Sequence, residues 1–378
     1  MPKPNRSTSL SRRSRRTTVS YTDEVARRKL SLGSTEYRFA TLEPNHIVVE
    51  DEPMDEERWS RLAFALSMPC RDVRRAYPEA RKFAIQMKKR SSNTTSKQVT
   101  ELLHPLIRSI VKEHTQINVR SMAQFHRESV PDEVPNFEIE PGWKMQLPTP
   151  KPAFTIGYSE TAFNPHQLEL QQGIIANNRN EPCDLHRVSQ PIPDVYWPFF
   201  VVEAEDASML AARNACAGSA AACNNGLMIF AGAAEEVRDR YIDMKYLHKL
   251  SQAVQSFSLA INGKTACLNT HNAEGCLPHA VALIRMYRLD DENDMEALVS
   301  RIQSILVWAE HCRLTSITDL IEKFERRVRV AKTATTIPGH CYYPLELAHF
   351  EIASRKRTST VIKTALLEAI PKWIRTNA

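Results

Sequence analysis

Glu203 and Glu205 are the residues of this chain best placed to hold a metal ion. They end the run Tyr196-Trp197-Pro198-Phe199-Phe200-Val201-Val202-Glu203-Ala204-Glu205. An apolar run that closes on two carboxylates one residue apart reads as a buried β-strand with both acids on one face at its polar end, because strand side chains alternate. Carboxylates fixed on a strand suit a hard divalent cation such as Mg²⁺. The plain alternative is the exposed end of a strand.

Other spacings carry less. Cys267, His271, Cys276 and His279 are four residue types that bind Zn²⁺. Their spacing across a β-hairpin puts alternate residues on opposite faces, so buried cysteines and ordinary surface histidines are expected. Cys216 and Cys223 are seven apart, on one helical face, and read as small core residues. His311-Cys312 and His340-Cys341 lack a third partner. With 10 Gly in the whole chain, there is little material for a phosphate-cradling loop, a nucleophile elbow or a dinucleotide fingerprint.

Several elements must position the two glutamates. Pro150 to Tyr158 reads as a short strand, with Pro191 and Pro193 punctuating the approach to the central one. Ser208 to Asn225 is Ala-rich and predicts a helix lying close on a sheet, with Leu227 to Phe230 as a further short apolar segment. Upstream, Val99, Leu102, Leu103, Leu106, Ile107 and Ile110 recur at helical spacing, with Pro105 as a kink or boundary. The acids from Glu50 to Glu57 sit well in the first turn of a helix through Trp59, Leu62 and Leu66. Downstream, Val254–Ile261, Thr265–Asn269 and His279–Tyr287 predict three strands, the first two joined at Asn262-Gly263. Two amphipathic helices follow, one through Met295, Leu298, Ile302, Ile305 and Leu306, the other from about Ser316 to Val328. The fold class expected is α/β (α+β), a central mixed sheet flanked by helices.

The 378 residues, 42% of them hydrophobic, suffice for a sizeable core. No apolar run reaches membrane-spanning length, and the N-terminus does not read as a signal peptide. Eight scattered Cys show no disulfide framework and suit a reducing compartment. The net charge is +6. Lys3, Arg6, Arg12, Arg13, Arg15 and Arg16 account for all of it, so any pull on a polyanion comes from this tail or from local patches. Residues 1–35 read as a disordered tail whose Arg12, Arg13, Arg15 and Arg16 suit nuclear import or contact with DNA phosphates. A second basic stretch includes Arg74, Arg75, Lys88, Lys89 and Arg90, either a phosphate-facing patch or a solvated helical face.

Taken together, Pro150-Lys151-Pro152-Ala153-Phe154-Thr155-Ile156-Gly157-Tyr158, the Glu203 strand and Ala211-Ala212-Arg213-Asn214-Ala215 resemble a fungal family of the PD-(D/E)XK nuclease superfamily. That resemblance implies a restriction-endonuclease-like domain over residues 91–330. Residues 36–90 would form a helical N-terminal extension, and 331–378 a partly helical, basic C-terminal extension. It also implies a helix Glu, a strand Asp, a Glu-x-Lys and a helix Gln gathered around Mg²⁺. On this chain those positions fall near Thr95 and on Ala153, Glu203, Glu205 and Ala215, so only Glu203 keeps its type. Glu160 and Asp206 are near enough in sequence to replace lost ligands. The expectation is a nuclear, catalytically degenerate protein that binds nucleic acid or a protein partner, with no cofactor, no membrane, and metal held weakly at Glu203 if at all. The alternatives are a Mg²⁺-dependent endonuclease with relocated ligands and a structural or assembly protein.

Overall fold

The computed structural model describes residues 31–334 except 51–53, 55, 71–72, 91–93, 132–146, 177–181, 207, 235–252 and 274–278. Arg12, Arg13, Arg15, Arg16 and Cys276 therefore lie outside the described residues, as does the C-terminal segment from 335 onward.

The chain is mixed α/β. Its strands are β1 (Ile47–Val49), β2 (Ile117–Ser121), β3 (Phe154–Tyr158), β4 (Ile174–Ala176), β5 (Pro182–Asp184), β6 (Tyr196–Ala204), β7 (Ser256–Ile261), β8 (Thr265–Ala273) and β9 (His279–Arg288). Seven form one sheet in the order β1-β9-β8-β7-β6-β3-β2, and β4 with β5 makes a separate pair. The β1/β9 and β6/β7 pairs are parallel; the other pairs in the sheet are antiparallel. Among the described residues, apart from the single turn Thr35–Tyr37, the α-helices are α1 (Glu56–Leu66), α2 (Tyr77–Lys88), α3 (Ser96–Val111), α4 (Pro165–Leu170), α5 (Leu185–Ser189), α6 (Met209–Ala234), α7 (Glu292–Trp308) and α8 (Leu314–Ala334).

Strand alternation sorts the helices into two layers. Phe200 pairs with Phe257, whose ring meets Trp308 of α7 at 5.5 Å, and Val202 pairs with Phe154, whose ring meets His104 of α3 at 6.0 Å. Val201 and Glu203 point the other way, toward α6, where Val201 packs on Ala220 and Glu203 meets Ser219. A sheet covered on both faces needs central strands that are apolar throughout, and Tyr196 to Val202 are all buried. Helix α6 lies close because its buried residues are mostly Ala, Ser, Cys and Asn rather than Leu or Phe.

Four expectations need correction. The region read as a helical N-terminal extension also supplies β1, which adds an edge strand beside β9. Of the two readings of Pro105, a kink or a boundary, the boundary is overturned: Pro105 sits inside α3 and one amide donor is lost, while Val99, Leu103, Leu106, Ile107 and Ile110 bury the helix's apolar face. Leu227 to Phe230 is no separate segment but the continuation of α6. Finally, His271 and His279 are buried rather than surface histidines, because the strands carrying them lie inside the sheet between β7 and β1.

Candidate functional site

One end of the sheet gathers Thr95, Ala153, Glu203, Glu205, Asp206 and Ala215. Phe154 pairs with Val202 in an antiparallel register, so one step further Ala153 lies across from Glu203. Glu205 extends the strand by donating its N–H to Ile261 O at 2.9 Å. Helix α3 begins at this end: Asp206 Oδ1 accepts from the Ser96 N–H, and an added Cβ on Gly263 would lie 3.1 Å from Thr94 O. Helix α6 also starts here and carries Asn214 and Ala215 in its second turn.

Each position has a definite local role. Thr95 is the N-cap of α3: its side chain accepts from Gln98 N at 3.3 Å while Gln98 Oε1 accepts from Thr95 N at 3.1 Å. That reciprocal cap satisfies two amides a helix start leaves unpaired, which explains a Thr there. Glu101 is exposed one turn on. Ala153 is buried and offers only a methyl group. Asn214 is committed to the N-terminal segment: its Nδ2 donates to Leu32 O at 2.7 Å and its Oδ1 accepts from Arg38 Nε at 2.9 Å. Ala215 is half-buried and has no polar atom beyond its backbone.

Glu203 carries the site's electrostatics. Its Oε1 accepts a 2.5 Å hydrogen bond from Ser219 Oγ. Burial raises its pKa to about 7; the Ser219 bond opposes this and the charge of Glu205 adds to it. The Glu205 carboxyl is also raised, by burial and then by Asp206. Asp206 is lowered, chiefly by the Ser96 amide. Burial thus shifts Glu203 toward its protonated form, with the Ala153 methyl across from it.

The two residues read as relocated ligands lie in different places. Glu160 follows the far end of β3, where Tyr158 pairs with Tyr196, so the length of that strand separates it from Ala153. Asp206 is tied down by α3. Among the described residues no group of three or more His, Cys, Asp or Glu is arranged to hold a metal ion. At the end where Glu203 lies, the side chains of Ala153 and Ala215 offer no ligand atom. Of the zinc-like spacing, Cys267 and His271 share one face of β8, on which β7 and α6 close.

The basic stretch is split. Arg74 and Arg75 precede α2 and Lys88 ends it, about 18 Å away for 12 residues. Arg75 pairs with Glu113 at 2.8 Å, beyond the far end of α3. Lys88, Lys89 and Arg90 lead into Thr94 and the site end. There the fold adds two exposed lysines that charge counting missed: Lys97 in the first turn of α3, and Lys264 next to Gly263 in the β7–β8 turn. A single basic residue in each of two distant segments leaves no local signal in the sequence.

Residues 80–321 match the profile of a family described as a domain of unknown function, DUF7924. The chain belongs to this family. The DUF7924 match takes in all of α3, β2, β3, β6 and α6, and hence every residue at the site end from Lys88 to Lys264. It leaves out β1, α1 and the tail. No curated protein and no solved structure matches the chain.

Proposed function

We propose that this protein is a nuclease-like fold whose catalytic site has degenerated and which now binds nucleic acid, in the nucleus, without cutting it. One observation carries the reading. The positions to which the PD-(D/E)XK resemblance assigns chemistry meet at one end of the sheet, with Ala153 across from Glu203, yet Glu203 alone keeps its chemical type. Lone, shifted toward its protonated form and bonded to Ser219, it would leave Mg²⁺ largely in its water shell. Glu205 where a lysine belongs repels the electrons of an attacking hydroxide instead of stabilising them. Losing one such electrostatic group costs on the order of a hundred-fold or more in rate.

The binding half rests on charge. Lys88, Lys89, Arg90, Lys97 and Lys264 are exposed at the site end with no carboxylate partner among the described residues. Phosphate contacts of this kind give affinity without base readout. The Arg-rich tail adds to it and supplies the nuclear address.

The experiment is a plasmid and oligonucleotide assay on the full chain with Mg²⁺ or Mn²⁺. No cleavage is expected, together with weak, sequence-independent binding that fades with salt. Metal-dependent nicking that Glu203→Ala abolishes would establish the enzyme instead. Absence of any salt-sensitive binding would remove nucleic acid as the ligand.

A further inference from the structure

The interface between α6 and the sheet is polar where such interfaces are usually apolar. Ser256, Ser258, Asn269 and His271 are all fully buried on one face of β7 and β8, with Ser256 opposite His271 and Ser258 opposite Asn269. Fully buried Asn224 of α6 closes over them. Two amides are fixed in orientation by carbonyls. Asn224 Nδ2 donates to His271 O at 3.2 Å, and Asn269 Nδ2 donates to Cys267 O at 3.1 Å and to Ser258 Oγ at 3.3 Å. A carbonyl can only accept, so neither amide can be flipped. His271 Nε2 lies 2.7 Å from Ser258 Oγ.

This arrangement leaves a remainder. Asn224 Oδ1, Asn269 Oδ1, Ser256 Oγ and His271 Nδ1 are buried and have no hydrogen-bond partner among the described residues. Either imidazole tautomer leaves Nδ1 unanswered, since Nε2 is the nitrogen engaged by Ser258. Buried polar atoms are nearly always paired, by protein or by ordered water, and each orphan left dry costs about 1–3 kcal/mol. Four such atoms on neighbouring positions of β7, β8 and α6 mark one shared partner site rather than four separate defects.

We infer that ordered water is bound inside the fold between α6 and strands β7 and β8, hydrogen-bonded to His271 Nδ1 and shared with Ser256 Oγ and Asn224 Oδ1. Water alone fits the donor set, because Nδ1 and the serine hydroxyl can each either donate or accept while the two amide oxygens only accept. A metal ion lacks anionic ligands here among the described residues, and the His271 pKa is pushed down first by burial and then by the charges of His279 and Arg213. An anion would face two amide oxygens. The side chains of Ser256 and of Ala220, one turn before Asn224, are small. Interior waters with about three such partners are ordinary components of folded proteins.

The test combines a variant with a direct observation. Removing the hydroxyl in Ser256→Ala deletes a hydrogen bond if water is bound, and relieves an unpaired polar atom if the layer is dry. A Tm lower by about 2 to 4 °C supports the site, while an unchanged or higher Tm overturns it. In a crystal structure of the full chain at a resolution that shows waters, a density peak within hydrogen-bond distance of His271 Nδ1 and of Asn224 Oδ1 or Ser256 Oγ is expected. Empty density there, or a protein group moved onto Nδ1, overturns the inference. So does a Tm that depends on exchanging sodium or potassium for a bulky organic cation, since a bound monovalent ion would then hold the place of water.

Discussion

Glu203 and the two buried histidines pull the pH dependence of stability in opposite directions. The Glu203 pKa is raised from 4.5 to about 7, so its contribution is fully present below 4.5 and lost as pH rises through about 7. Burial, and then neighbouring charge, pushes His271 down to about 3 and His279 to about 4, from 6.5. Their contribution is present above 6.5 and lost as pH falls toward those values. Glu203→Gln should therefore gain stability over the native chain at pH 8 and lose that advantage below pH 4.5. The gain is at most about 3 kcal/mol, and less because part of the side chain reaches solvent. Thermal melts across that range check it, and a difference independent of pH would mean that Glu203 is not held near its protonated form. The glutamates were legible from their spacing, since alternation fixes which face a strand residue takes. The serine, asparagine and histidine that share the Glu203 face of the sheet were not, because a period of two cannot say which polar residue a helix will cover.

Strand β6 owes its position to a feature of its opposite end. The β3/β6 register shifts between Ile156 and Tyr158, and Trp197 adopts φ +43°, a left-handed conformation that is costly for a bulky residue. Arg313, fully buried at the end of the π-helical turn Ala309–Arg313, donates to Trp197 O at 3.0 Å and Pro198 O at 3.4 Å. Its guanidinium lies 5.6 Å from the Tyr158 ring centroid and 5.3 Å from that of Phe199. Arg313→Met would leave those carbonyls unanswered, and a loss of at least about 2 kcal/mol in urea unfolding is expected. An unchanged midpoint would show that the bulge holds itself. Gly157 has no room to vary: a Cβ would come within 2.6 Å of Tyr196 O and of Val195 Cγ1, so Gly157→Ala should abolish soluble expression. Strands β3, β6, β7, β8 and β9, the α6 start and the β7–β8 turn followed from apolar runs, small residues and Asn-Gly, whereas β1, β2, β4 and β5 did not. The bulge and the buried arginine could not, because pairing across about 115 positions leaves no local pattern.

For the molecule as a whole, charge is unevenly spread and the fold decides where it counts. If nucleic acid binds at the site end, neutralising about six phosphates gives a log–log salt slope of roughly −5. Fluorescence anisotropy on the chain lacking residues 1–20 should show a flatter slope. Lys97→Glu with Lys264→Glu should weaken binding by about ten-fold or more, whereas Arg74→Glu, at the other end of α2, should leave it nearly unchanged. Equal losses from both would return the interface to α2. Tight binding to one sequence that survives tail deletion and high salt would mean that base edges are read by the folded body.

The pairing of β1 with β9 bears on how the protein is made. Ile47 meets His279, about 230 positions later in the chain. At about 5–20 residues per second, a ribosome takes roughly 10 to 50 s between delivering the first of these strands and the second. Throughout that interval β1 has no strand of the sheet to join. Strand β1, needing a partner made so late, should therefore be among the last strands to dock.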